Sequence, residues 1–174
     1  HTGDNHLGFR QYGFAVREGD FYASIQNLCK KALALGVDAV LIAGDLFDAT
    51  KPPAIAVKVV QSLVGCLKDH GVRVLAIDGN HDVSGGDWLE ICGIEHIGGK
   101  VVTITSKDGT NKLNIGGIDS CRPGVFYSVL EQLKARGPTP VHVLAIHQAV
   151  AELADYSSQD YTALQMAPRL LEAG

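Results

Sequence analysis

Between residues 19 and 36, apolar side chains recur at Phe21, Ile25, Leu28, Ala32 and Leu35. Steps of three and four put them on one helical face, with Asp20 placed to cap and Gly36 to stop. Residues 37–43 (Val37 to Ala43) form an apolar run of strand length that reads as a buried strand. Pro52-Pro53 suits the first turn of a second helix, which is expected to run to about His70 and to bury Val57, Val60, Val64 and Leu67. A second strand is predicted over 72–77, and a short helix from Asp87 to Cys92. Residues 101–105 and 112–115 flank Asp108-Gly109, a hairpin signal. A helix from Pro123 to Arg136 is ended by Gly137-Pro138, and Val141 to Ile146 reads as another buried strand. Strands alternating with helices argue an α/β domain with helices covering a central, largely parallel sheet. No internal repeat or low-complexity linker divides it.

Polar residues of one chemical kind gather where these strands end. Asp4 and His6 follow the first residues, Asp45 follows the strand at 37–43, Asn80 and His81 follow that at 72–77, and His147 follows that at 141–146. The carboxyl ends of parallel strands share one edge, where ligand sites form, so Asp4, His6, Asp45, Asn80, His81 and His147 are expected to converge. Carboxylate, imidazole and amide oxygen suit borderline divalent ions such as manganese, iron or zinc. Asp45, a carboxylate able to bridge two ions, is the central candidate. Gly44 and Gly79 sit just before the ligand positions, where glycine permits a sharp turn and leaves room for a substrate phosphate. Taken singly, each piece reads as an ordinary turn or a solvated loop residue. Four strand ends offering ligands in one chain point instead to a metal site.

Composition narrows the class. The chain has 174 residues, 46% apolar and 20% charged, the size and make-up of about one folded domain. A net charge of −4 excludes a globally basic nucleic-acid coat but not a local site whose positive charge comes from bound metal. No apolar run approaches the roughly 18 residues of a membrane span. Cys29, Cys66, Cys92 and Cys121 are scattered without a C-x-x-C pair, as in reduced, packed cysteines of an intracellular, cytoplasmic protein. The chain opens on His1, directly on a motif, and closes on a helix-like segment ending in Gly174. It is therefore expected to be a piece of a longer protein, a single domain over 1–174 incomplete at both ends.

Asp4-Asn5-His6, Gly44-Asp45-Leu46-Phe47-Asp48, Gly79-Asn80-His81-Asp82 and His147 resemble the successive motifs of the calcineurin-like metallophosphoesterases. His6 to Tyr12, Arg17-Glu18 before Asp20-Phe21, and Pro52-Pro53 after Asp48 resemble one branch, the SbcD-type nuclease subunits of double-strand-break repair complexes. The similarity thins between about 98 and 140. The resemblance implies a β-sandwich flanked by helices, here partial. It implies that Asp4 and His6 bind one metal, Asp45 bridges two, and Asn80 and His147 bind the second, with manganese the expected ion. It makes His81 the catalytic histidine, oriented by Asp82, and puts Arg10, Gln11 and Tyr12 on a DNA-facing loop. The implied activity is two-metal hydrolysis of DNA phosphodiesters, in an intracellular homodimer partnered by an SMC-like ABC-type ATPase, at the nucleoid or in a phage-infected cell. The same core would serve a small-molecule phosphodiesterase, a protein phosphatase or a non-catalytic scaffold. The family's last motif, Gly-His-x-His, has no match in the sequence, nor does a capping or ATPase-docking region. The 174-residue chain by itself is accordingly expected to bind metal weakly and to be inactive.

Overall fold

The computed structural model describes residues 1–82, 87–135 and 143–150. Its helices are α1 (Ala15–Ala34), α2 (Ala54–Asp69), α3 (Trp88–Ile91) and α4 (Pro123–Ala135). Its strands are β1 (Ala39–Ala43), β2 (Arg73–Ile77), β3 (Glu95–His96), β4 (Val101–Thr105), β5 (Lys112–Ile118) and β6 (Val143–Ile146). The predicted Gly137-Pro138 stop and the helix-like C-terminal segment lie outside the described residues.

The strands form two sheets rather than the one central sheet that periodicity predicts. They are ordered β1-β2-β3 and β4-β5-β6. The first is parallel throughout. In the second, β4 pairs antiparallel with β5, and β5 pairs parallel with β6. This is the sandwich that the family resemblance implies. The two sheets face each other because strand alternation supplies two apolar faces. Val40, Ile42, Val74 and Ala76 face the helices and pack with Ile25, Val60, Val64 and Leu67. The intervening Leu41, Leu75 and Ile77 face the second sheet and pack with Ile97, Ile104, Ile115 and Ala145. On the far side, α4 covers the second sheet through Phe126, Leu130 and Leu133. The order of layers is helix, sheet, sheet, helix.

Two departures from the predicted elements have physical causes. Helix α1 starts at Ala15, ahead of Asp20. Glu18, in its first turn, is buried and accepts from Arg10 Nε at 2.6 Å and from the Tyr22 hydroxyl. A buried polar anchor extends the helix where no apolar pattern could reveal it. Strand β5 runs three residues past its predicted end, through Gly116-Gly117, because the second sheet there touches the first. A Cβ on Gly117 would lie 2.6 Å from the Ile97 carbonyl oxygen and 2.8 Å from Ile77 Cγ2.

Candidate metal centre

The N-terminal segment runs parallel to β1, bridged at Thr2–Ile42 and Leu7–Phe47. The amide N–H groups of Asn5 and His6 both donate to the Asp45 carbonyl, at 2.8 and 3.0 Å. This pairing brings Asp4 and His6 beside Asp45. All three take left-handed backbone conformations, with φ of 52°, 44° and 49° respectively. Such conformations cost of order 1–3 kcal/mol each in non-glycine residues and persist where the surroundings impose them.

Asp45 lies at the middle and is 3% exposed. Its Oδ1 accepts the His81 amide N–H at 2.9 Å. Its Oδ2 lies 3.2 Å from His147 Nε2 and 3.7 Å from His6 Nε2. Two groups of potential ligand atoms, each within 4.8 Å of one another, share this carboxylate: His6, Asp45 and His81, and Asp4, Asp45 and His147. The expected partition put Asp4 with His6 and Asn80 with His147. In the structure Asp4 Oδ1 lies midway, 3.9 Å from the Nε2 of both His6 and His147. Asn80 Oδ1 is 3.2 Å from His147 Nε2.

The imidazoles are turned by backbone and carboxylate partners on their other nitrogens. His147 Nδ1 is 2.8 Å from the Ala43 carbonyl, and His81 Nδ1 is 2.7 Å from the Asp48 carbonyl. Each leaves Nε2 for the centre, the usual arrangement around a bound ion. His6 Nδ1 is 3.2 Å from Asp48 Oδ1, yet it has no hydrogen-bond partner of proper geometry, and neither does the buried Asn5 Oδ1. The His6 and His81 rings meet edge to face with centroids 4.9 Å apart. The Asp48 carbonyl raises the pKa of His81; burial opposes this, and the carboxylates of Asp45, Asp48 and Asp82 add to it. Asp48 therefore bears on two of the three imidazoles, a role the sequence reading missed. Its signal was the acid three residues after Asp45 in Gly-Asp-x-x-Asp.

Asp82, expected to orient His81, meets the backbone of two loops. Its carboxylate is 9% exposed and accepts the amide N–H groups of Leu46, Phe47 and Gly79 at 3.0–3.1 Å. It ties the loop after β1 to the loop after β2. Gly44 makes the expected sharp turn, with φ of 86°, and both glycines leave room inside the site. A Cβ on Gly44 would lie 2.5 Å from His147 Nδ1, and one on Gly79 would lie 2.1 Å from Asp45 Oδ1. Their bareness makes room for the site's own side chains.

On the expected DNA-facing loop, Arg10 is held by Glu18, and Gln11 Oε1 accepts from Arg17 at 2.9 and 3.1 Å. Tyr12 is 83% exposed. Donor chemistry, a carboxylate shared by both groups and strained backbone fit a pair of divalent ions at Asp4, His6, Asp45, Asn80 and His147, with His81 beside them.

Comparison with known proteins agrees with this fold. The profile of the calcineurin-like phosphoesterase family matches residues 1–173. A DNA double-strand break repair protein Mre11 of Aeropyrum pernix is 48% identical over 82 residues, covering 47% of this chain and 20% of that protein. The Mre11 of Methanocaldococcus jannaschii is 39% identical over 83 residues, 48% of this chain and 23% of that protein. The matched segments thus span about a fifth of these relatives. The crystal structure of TT1561 of Thermus thermophilus superposes with a TM-score of 0.58 at 11% identity, over 87% of this chain and 71% of that one, a likeness of fold. With the family profile matching residues 1–173 and a candidate site of the corresponding chemistry, this chain belongs to the calcineurin-like phosphoesterases.

Proposed function

We propose that the protein carrying this domain is a DNA nuclease that hydrolyses phosphodiester bonds with two divalent ions, manganese the favoured metal. The observation that carries this reading is the Asp45 carboxylate, common to both candidate ligand groups. Asp4, His6 and His81 or His147 would complete the groups, with Asn80 beside His147. Two ions there would supply Lewis-acid charge for the phosphoryl oxygens and lower the pKa of the attacking water toward neutrality. The chain's own residues would do the rest. Asp45 and Asp48 position imidazoles, and Asp82 fixes the loops. His81, turned by the Asp48 carbonyl at its Nδ1, would donate a proton to the leaving oxygen. This proton-donor role and its place in a ligand group are alternatives that the His81→Ala variant separates.

DNA as substrate is supported by the Mre11 relatives, named for double-strand break repair. An SMC-like ABC-type ATPase partner and a homodimer belong to the same reading and rest on the SbcD-type motifs. Tyr12, 83% exposed, would be the loop residue that meets DNA, with Arg10 and Gln11 tying its loop to Glu18 and Arg17. The test is cleavage by the protein carrying this domain, with manganese, of single- and double-stranded DNA and of a chromogenic phosphodiester. Faster turnover of DNA supports the proposal. Turnover of the small ester alone would replace it with a small-molecule phosphodiesterase.

A further inference from the structure

A second cluster of metal-ligating side chains lies at the same edge of the fold and shares no residue with the first. Asp78 follows β2, His96 ends β3 and Asp119 follows β5. Their ligand atoms all lie within 4.8 Å of one another. His96 Nε2 is 2.8 Å from Asp119 Oδ1 and 3.8 Å from Asp78 Oδ2, so one imidazole nitrogen faces two carboxylates. Three separate strand ends, drawn from both sheets, are needed to build this arrangement.

The backbone is shaped around it. The Gly98–Gly117 bridge joins the end of the first sheet to β5. A Cβ on Gly98 would lie 1.9 Å from Asp119 Oδ2, so only glycine lets the Asp119 carboxylate turn toward His96. Asp119 Oδ1 also accepts the Asp78 amide N–H at 2.8 Å, fixing two of the three residues to each other. The neighbouring cation, Lys100, donates its Nζ to the His96 carbonyl at 3.0 Å. All three side chains keep about a third of their surface exposed, which leaves room for water to complete a coordination shell.

We propose that Asp78, His96 and Asp119 form an additional binding site for a divalent transition-metal ion of the zinc class. One imidazole and two carboxylates are a borderline donor set, and three protein ligands leave a position for water. The ion replaces the proton that His96 would otherwise share with the two carboxylates. It clamps the loop carrying Asn80 and His81 to β3 and β5. The inference goes beyond the proposed nuclease reading and does not depend on it.

Zinc is the probe, and the Asp45→Asn variant isolates the site by weakening the first centre. Zinc bound per chain is measured by equilibrium dialysis with elemental analysis, alongside the His96 ring resonances by NMR. The expected result for Asp45→Asn is one retained zinc, a shifted His96 Nε2 resonance and a zinc-dependent rise in melting temperature. Adding His96→Gln, at a partly exposed position, should weaken that zinc at least tenfold and remove the thermal shift. Adding Asp119→Asn should do the same. Zinc binding by Asp45→Asn that is untouched by His96→Gln would overturn the proposal. So would a His96 ring that zinc leaves unshifted. Failure of the first centre would show instead as unchanged ion binding between wild type and Asp45→Asn.

Discussion

Asp45 combines a left-handed backbone, an amide N–H held on Oδ1 and two imidazoles facing Oδ2. Its removal should therefore be felt by both ions at once. In the longer protein carrying this domain, we expect Asp45→Ala to lose both ions in calorimetry and to lower turnover to background, whereas His81→Ala should keep the ions and lose about 10²–10⁴-fold in turnover. Normal two-ion binding by Asp45→Ala would contradict a shared carboxylate, and ion loss in His81→Ala would make that histidine a ligand. Gly79 gives a second test at this scale. A methyl group there would lie 2.1 Å from Asp45 Oδ1 and 2.2 Å from its amide nitrogen. Gly79→Ala should impair ion binding nearly as much as Asp45→Ala, although alanine carries no ligand and removes none. Intact ion affinity in Gly79→Ala would mean that the loop yields without moving Asp45.

Among the elements, α1 shows what periodicity can and cannot reveal. Ile25 and Ala32 are buried, as apolar spacing predicts, whereas Leu35 of the same spacing is 69% exposed past the helix end, Cys29 is buried in addition, and the first turn is fastened by Glu18. The Tyr22 hydroxyl, then the Arg10 guanidinium, hold the Glu18 carboxyl below its usual range against the opposing effect of burial. A carboxyl lowered on folding stabilises the protein above its unfolded pKa, and that contribution is lost as pH falls through the folded value. Unfolding free energy should therefore drop below about pH 4.5 more steeply in the wild type than in Glu18→Gln. Equal acid slopes in urea titrations would show that the anchor is not coupled to folding. In the same helix Gly19 has open space where a Cβ would sit. Gly19→Ala should raise stability by about 0.5–1 kcal/mol, measured by the same titrations. The hairpin was legible because Asp108-Gly109 demands a turn, and the Gly109 φ is 75°. Strand β3 was not, since two residues, Glu95 and His96, are too few to alternate. Of the candidate site, the convergence of the strand-end residues Asp4, His6, Asp45, Asn80, His81 and His147 was legible from residue type and place. The tasks of Asp48 and Asp82 were not, because they act through backbone groups distant in sequence.

At the scale of the whole molecule, the centre is assembled across two sheets. Asp45 follows β1 of the first sheet, whereas His147 follows β6 of the second. Their separation of 3.2 Å is therefore set by how closely the sheets pack. That packing narrows at Gly117 of β5, beside Ile77 and the Ile97 carbonyl. Strand β6 pairs directly with this stretch, Gly117 opposite Ala145 and Ile118 opposite Ile146, one residue before His147. A valine at Gly117 must push against a backbone oxygen 2.6 Å from its Cβ, which cannot rotate away as a side chain can. Overpacking of this kind costs about 1–3 kcal/mol. We expect Gly117→Val to unfold at lower urea concentration by that amount and also to weaken ion binding, although residue 117 is no ligand. The Gly19→Ala change, which meets nothing, should leave ion affinity as it was. A Gly117→Val protein that is destabilised but binds ions normally would show that the N-terminal segment and the loops around Asp82 hold the centre independently of the sheets.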